Sequence, residues 1–266
     1  MRKLFVPALS ALTVFAMSCG NAPTNENTAD STVVTADTAA AATPATSEVD
    51  STANTLTDAE KAEGWKLLFN GQNLDGWHIY KGKTSNSWTA ENGTLHCMGS
   101  EKDKSDKRAD LTSNDTYENF ELQTDWKLTP KGNSGLIYLA SEDEDAAYLS
   151  GPEYQMIDDK DFPEKLEDWQ KTGANYAMGG PLVAAANPIG EWNHTRIVVN
   201  KGHVEHWLNG QKTAEYTFGS PEWKKLKETG KWKDAKNYGK TKKGHIDLQD
   251  HGSEIWFKNM KIKEIK

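Results

Sequence analysis

Two short stretches of this 266-residue chain gather titratable side chains at a spacing that could do chemistry. In His245-Ile246-Asp247-Leu248-Gln249-Asp250-His251, a period of two puts His245, Asp247, Gln249 and His251 on one face of a strand. Ile246 and Leu248 fall on the other face, the one a sheet buries. Solvated strand faces usually carry Lys, Thr and Glu. Two histidines, a Gln and an Asp can instead hydrogen-bond, ligate a metal or transfer protons. In Gly151-Pro152-Glu153-Tyr154-Gln155-Met156-Ile157-Asp158, Glu153 and Gln155 share a face. Asp158 has the wrong parity unless a β-bulge shifts the register by one, and a bulge would bring Glu153, Gln155 and Asp158 together. Asn133 and Ser134, before Gly135, could reach sugar hydroxyls or simply build a turn. His206 shares a face with Val204 and Leu208 and reads as a core histidine. Cys97, in Thr94-Leu95-His96-Cys97-Met98, reads as a small buried hydrophobe.

The elements that must position these groups are strands. Residues 120–128 alternate apolar and polar, as do 196–200, 203–208 and 255–265. Asn200-Lys201-Gly202 and Asn209-Gly210 are turn signals, so residues 192–217 should form a three-stranded meander. Two short helices are predicted. Thr57-Asp58-Ala59-Glu60 is a capping box, and Ser220 caps a helix with Pro221 at its first position. Many short strands without a βαβ rhythm predict an all-β, two-sheet jelly-roll sandwich over residues 58–266 as a single catalytic domain.

The first 57 residues read differently. Met1-Arg2-Lys3, an apolar run from Leu4 to Met17, and Ser18-Cys19 resemble a bacterial lipoprotein signal over residues 1–18, with lipid expected on Cys19. Residues 19–57, rich in Ala, Thr and Ser, lack the large apolar side chains that could offset ordering entropy and predict a tether. The expected location is the cell envelope, on a bacterial membrane. With Cys19 lipidated, Cys97 has no disulfide partner.

Composition excludes several classes. A net charge of −8 argues against nucleic acid as a partner, because phosphate binding needs a basic surface. A 36% hydrophobic content excludes a multi-span membrane protein. Ten tryptophans suggest sugar stacking, but six of them (Trp65, Trp77, Trp126, Trp192, Trp207 and Trp256) sit at strand or motif positions that sandwich packing would explain. Trp88, Trp169, Trp223 and Trp232 remain as candidates for a cleft rim.

Glu153-x-Gln155-x-x-Asp158 is similar to the E-x-D-x-x-E strand of laminarinase-type jelly-roll glycosidases. Gln in the middle and Asp at the end depart from their acid-and-nucleophile pair. A fuller resemblance covers residues 63–265. Gly64 to Gly71 with Leu74-Asp75-Gly76-Trp77, then Asn133-Ser134-Gly135, Gly151 to Gln155, Gly190 to His194, His203 to Gly210, Gly244 to Gly252 and Trp256 to Ile262 follow in order. Together they resemble the 3-keto-disaccharide hydrolase domain family. The resemblance implies a concanavalin A-like jelly roll that cleaves 3-keto-glycosides in bacterial glycan breakdown. It also implies elimination as a possible route and a divalent metal ion as a possible cofactor. Its polar motifs fall on Asn133, Glu153, Gln155, Asp158, Gln249 and His251, and Tyr176 matches a G-A-x-Y loop.

A ketone at C3 acidifies the hydrogen on C2, so a base there gives an enolate that expels the C1 oxygen. Such a site needs a base near neutrality, an enolate stabiliser and an acid. The expected catalytic residues are Glu153, His251 and Asp158. Either Glu153 or His251 is the base, the other is the acid or a metal ligand, and Asp158 orients one of them. Asn133, Gln155, Tyr176 and Gln249 are the expected substrate-binding residues. Two other readings stay open: a lectin-like module that binds glycan without chemistry, and an ordinary two-carboxylate glycosidase.

Overall fold

A computed structural model describes residues 52–100 and 107–266. The lipoprotein signal, Cys19 and most of the tether lie outside the described residues. In chain order the strands are β1 (Lys66–Leu67), β2 (Trp77–Ile79), β3 (Trp88–Glu91), β4 (Thr94–Cys97), β5 (Leu111–Tyr117), β6 (Phe120–Leu128) and β7 (Asn133–Ala140). They continue as β8 (Glu153–Ile157), β9 (Asn193–Asn200), β10 (His203–Leu208), β11 (Gln211–Thr217), β12 (Gly244–Leu248) and β13 (Ile255–Glu264). The two helices are α1 (Asp58–Ala62) and α2 (Pro221–Thr229).

The strands form two antiparallel sheets. One has eight strands, in the order β11-β10-β9-β6-β13-β4-β3, with β1 also paired to β13. The other has five, in the order β2-β5-β12-β7-β8. This is the all-β jelly-roll sandwich that the alternating pattern predicts. The expected meander is β9-β10-β11, turning at Lys201-Gly202 and Asn209-Gly210, where all four residues have positive φ.

The core lies between the sheets and follows strand parity. In β6 burial alternates residue by residue, with Phe120, Leu122, Trp126 and Leu128 facing inward. From the five-stranded sheet come Leu136, Tyr138, Tyr154, Met156, Ile246 and Leu248. Each fully buried side chain of this size contributes roughly 1.5–3 kcal/mol of apolar transfer. Trp126 also satisfies its indole, donating from Nε1 to Thr195 Oγ1 at 2.9 Å.

The tryptophans divide in a way the sequence does not reveal. Trp77, Trp88 and Trp126 are in the core. Trp192, Trp207 and Trp256 are only half-buried, under cations. Lys127 lies 5.2 Å over the Trp192 ring and 4.7 Å over the Trp256 ring, and Arg196 lies 5.4 Å over Trp207. Packing against basic side chains, more than core filling, explains this second group.

Both helices start where their caps predict. Thr57 and Glu60 make the reciprocal capping box, and Ser220 accepts from Trp223 N at 3.1 Å. Contacts with the sandwich extend to residues before the expected boundary at residue 58. Asn54 is buried and exchanges backbone-to-side-chain bonds with Asn259 at 2.8 and 2.9 Å, and its Nδ2 donates to Gly93 O at 2.7 Å. Its polarity made it look like tether, but its amide staples the β13 bulge.

Candidate active site

A pocket of about 180 Å³ opens on the face of the five-stranded sheet away from the core, lined by Asn133, Tyr148, Glu153, Gln155, Tyr176, Lys231, Trp232, Gln249 and His251. Three neighbouring strands build its floor. Asn133 begins β7, Glu153 and Gln155 point the same way from β8, and Gln249 and His251 follow the end of β12. The β7–β8 register, with Gly135 opposite Gln155 and Ile137 opposite Glu153, places Gly135 beneath the carboxyl group. A Cβ on Gly135 would lie 2.5 Å from Glu153 Oε1, so only glycine leaves room for that side chain.

Glu153 is 4% exposed, and burial pushes its carboxyl up to about 8. Lys231 and a hydrogen bond from Gln249 pull it down, while Asp110 adds to the rise. At neutral pH the free protein therefore holds Glu153 protonated. Around it, Asn133 Oδ1, Gln155 Oε1 and Gln249 Oε1 are buried with no partner among the described residues. Orphaned acceptors are rare in folded interiors, and here three line one pocket. They ask for donors from outside the chain.

The walls come from loops. Tyr176 lies in a segment that pairs with β8, its N–H donating to Glu153 O at 3.0 Å. Lys231 and Trp232 lie just beyond α2. The Lys231 ammonium donates to Tyr176 Oη at 2.9 Å and rests 4.3 Å over that ring and 5.1 Å over Trp232. Tyr148 tilts against Trp232 at 6.1 Å. Sequence reasoning missed Tyr148 and Lys231. The run of nine lysines over residues 224–243 looked like a solvated surface, and nothing local marks Lys231 within it. Trp232 was among the rim candidates, and it lines the pocket. Trp88 does not: it is a core residue whose Nε1 donates to Ala109 O at 2.9 Å.

Asp158 is elsewhere. The β7–β8 register runs without a bulge to the pair Asn133–Ile157, so Asp158 leaves the strand on the other parity. Its carboxylate accepts from Lys131 N at 2.8 Å, Lys160 N at 3.1 Å and Asp161 N at 3.0 Å. Burial would raise its pKa, but those three donors outweigh it and hold the group below the usual carboxylate range. The expectation that Asp158 orients Glu153 or His251 is corrected. It fastens the loop after β8.

The face alternation at residues 245–251 also divides. Ile246 and Leu248 are in the core as expected. Opposite them, Gln249 and His251 reach the pocket, but Asp247 is fully covered and accepts from Thr112 Oγ1 at 2.6 Å. His245 Nδ1 lies 2.7 Å from Ser113 O. Asp247 packs near Asp110, and burial with that like charge pushes Asp247 well above an ordinary carboxyl, so it holds a proton. Asp250 anchors the turn between Gln249 and His251. Arg108 Nε donates to its Oδ1 at 2.8 Å, Ser87 Oγ to its Oδ2 at 2.6 Å, and its own N–H donates to Asp110 Oδ1 at 2.8 Å.

A buried carboxyl group and three unpartnered amide oxygens also form a donor set that a hard divalent cation accepts, so these residues fit the ion that the resemblance allows. His206, by contrast, is a core residue, as its parity predicts. Its ring is fully buried, 2.7 Å from Tyr138 Oη.

Sheet order and pocket define a jelly-roll sandwich with a single-carboxylate polar site on the outer face of its smaller sheet. The chain belongs to the 3-keto-alpha-glucoside-1,2-lyase-like domain family, whose model matches residues 64–263. It is similar to a 3-keto-disaccharide hydrolase of Bacteroides thetaiotaomicron, 33% identical over 229 residues, covering 76% of this chain and 79% of that protein. Two crystal structures from Parabacteroides distasonis, both of proteins assigned to the glycosyl hydrolases, also match. One is 42% identical with a TM-score of 0.75, covering 80% of this chain and all of the other. The second is 29% identical with a TM-score of 0.59, covering 76% of this chain and 99% of the other.

Proposed function

We propose that this protein cleaves glycosides whose sugar ring carries a ketone at C3. The observation that carries the reading is Glu153, buried and protonated on the floor of a pocket rimmed with unpartnered amide oxygens. The family membership and the named Bacteroides relative point the same way. The pocket is smaller than the roughly 300–1,000 Å³ that encloses a drug-sized ligand, so it takes one ring and leaves the second sugar or aglycone outside.

Each group has a role in elimination. His251, at the exposed mouth, takes the proton from C2. The C2–H electrons form an enolate with the C3 carbonyl, and the Lys231 ammonium stabilises its oxygen. The enolate re-forms the ketone, makes a C1–C2 double bond and releases the C1 oxygen, which takes the proton held by Glu153. Water then adds across the double bond, and the sum is hydrolysis. Asn133, Gln155 and Gln249 accept from ring hydroxyls, and Tyr176 with Trp232 gives the ring an aromatic wall. A divalent ion held by the amide oxygens would polarise the ketone, and Glu153 would join them only as a carboxylate, in which case it would not serve as the acid. An ordinary two-carboxylate glycosidase is disfavoured because, among the described residues, Glu153 is the one carboxylic acid lining the pocket.

Incubation with 3-keto-trehalose in deuterated water, with and without chelator, tests this. Cleavage with deuterium at C2 is expected. Cleavage without deuterium overturns elimination, and no cleavage of any 3-keto glycoside leaves a binding module. If both Glu153→Gln and His251→Ala keep full turnover, the residue assignment is wrong. We further propose, from the sequence, that Cys19 is lipidated and tethers the domain at the cell envelope. Incorporation of a labelled fatty acid that Cys19→Ala abolishes is the expected result.

A further inference from the structure

A second cleft, of about 430 Å³, lies on the other side of the segment that carries Tyr176. That segment pairs with β8 through one antiparallel bridge, Tyr154 with Asn175, and turns back on itself through a second, Asn175 with Gly179. Residues paired across antiparallel strands share a face, so Asn175 points away from the catalytic pocket while its neighbour Tyr176 lines it. The cleft is floored by Asn175, Met178, Tyr216 and Trp223, with Leu182 and Leu226 at its edge.

Two polar atoms of residues in this floor have no partner among the described residues. Asn175 is 4% exposed and its Oδ1 is unsatisfied; Trp223 is 9% exposed and its indole Nε1 is unsatisfied. One is an acceptor and the other a donor. A buried polar atom left unmet is costly and rare, and here an acceptor and a donor both go unmet in the lining of one open cleft. The edge is apolar, with Leu182 69% and Leu226 47% exposed, far above ordinary leucines of the core. Glu215 and Glu222 line the same cleft and disfavour an anion.

We propose that this cleft binds a neutral, hydroxylated ring compound. The ring lies against Met178, Trp223 and the two leucines, a hydroxyl donates to Asn175 Oδ1, and an oxygen accepts from Trp223 Nε1. A phenol and a sugar share that chemistry. The site is joined to the catalytic pocket by a ladder of stacked rings. Trp223 stacks on Tyr238 with centroids 6.1 Å apart, and Tyr238 stacks on Trp232 at 4.7 Å. Trp232 is a wall of the catalytic pocket.

The test is an amide and indole NMR titration of the full chain with phenol in one arm and methyl α-glucoside in the other. The Trp223 indole resonance is identified by its loss in Trp223→Phe. A saturable shift of that resonance by at least one ring compound is expected, and the responding arm names the source. Asn175→Leu and, as a surface variant that spares the interior, Leu226→Lys should each weaken the binding at least tenfold without altering cleavage of 3-keto-trehalose. The proposal is overturned if neither compound shifts Trp223, if only Trp232 responds, or if the shift survives both substitutions. None of the three overturning readouts depends on turnover, so failure here and failure of the catalytic reading are separable.

Discussion

Two buried polar constellations in this molecule have opposite bookkeeping. Around His206 in the core, every group is met. Tyr138 Oη bridges His206 Nε2 at 2.7 Å and Tyr216 Oη at 2.5 Å, His206 Nδ1 faces Gly173 O at 3.4 Å, and Thr213 Oγ1 donates to the same carbonyl at 2.9 Å. Around Glu153, on the outer face of the smaller sheet, three amide oxygens are left unmet. Both sets are buried and both shift their titrating groups. What separates them is satisfaction: a closed network stabilises and specifies packing, whereas an open one waits for a ligand.

If that distinction holds, substitutions should divide cleanly between activity and stability. The largest expected effect is on turnover. Glu153→Gln keeps shape and removes the acid, so kcat on a 3-keto-disaccharide should fall by about 10²–10⁴, with an unchanged melting temperature below pH 5. His206→Ala should do the reverse. Opening the closed network and leaving a cavity should cost about 2–4 kcal/mol in denaturant unfolding, with kcat of the folded fraction nearly unchanged.

Next in size is the pH dependence of stability, and here the two sites oppose each other. Glu153 is raised from 4.5 to about 8 on folding, so between those values the folded state binds the extra proton and stability declines as pH rises. His206 is lowered from 6.5 to about 4 because burial, only partly offset by the Gly173 and Ala174 carbonyls, disfavours its charge. Its contribution is therefore lost as pH falls through about 4. Glu153→Gln should be more stable than the parent above pH 8 by about 5 kcal/mol, and equal to it near pH 4. Asp247 contributes a slope of the same sign as Glu153, but it persists in the variant, so the difference isolates Glu153.

The smallest effect sharpens the boundary of the open site. Asp158→Ala should cost about 1–2 kcal/mol, because three backbone N–H groups lose their acceptor, while kcat changes less than threefold. A loss of kcat as large as that of Glu153→Gln, in a protein of parental stability, would return Asp158 to the reaction.

The strands, both helix caps and the meander were legible because period two, Thr57, Ser220 and Asn209-Gly210 are local signals. Parity likewise put Glu153 with Gln155 and Gln249 with His251 on common faces. It could not separate Asp247 from Gln249, because what covers a strand face comes from elsewhere in the chain. Thr112 closes over the first, hydrogen-bonded to it, whereas the second lines the pocket. Asp158 was misread for a related reason. Its place beside Glu153 required a bulge, and whether a ladder bulges depends on the partner strand, here Asn133 to Ile137, rather than on residues 153–158.

By itself, then, the sequence determined which side chains could share a face and that the fold is a β-sandwich, since alternation and turn chemistry act over two to four residues. Tertiary structure alone decided that β7, β8 and β12 lie side by side, that Lys231 leaves its run of surface lysines to sit over Tyr176, and which buried polar atoms go unpartnered. Those are outcomes of packing between distant segments, and an unmet hydrogen bond becomes visible only when every possible partner has been placed.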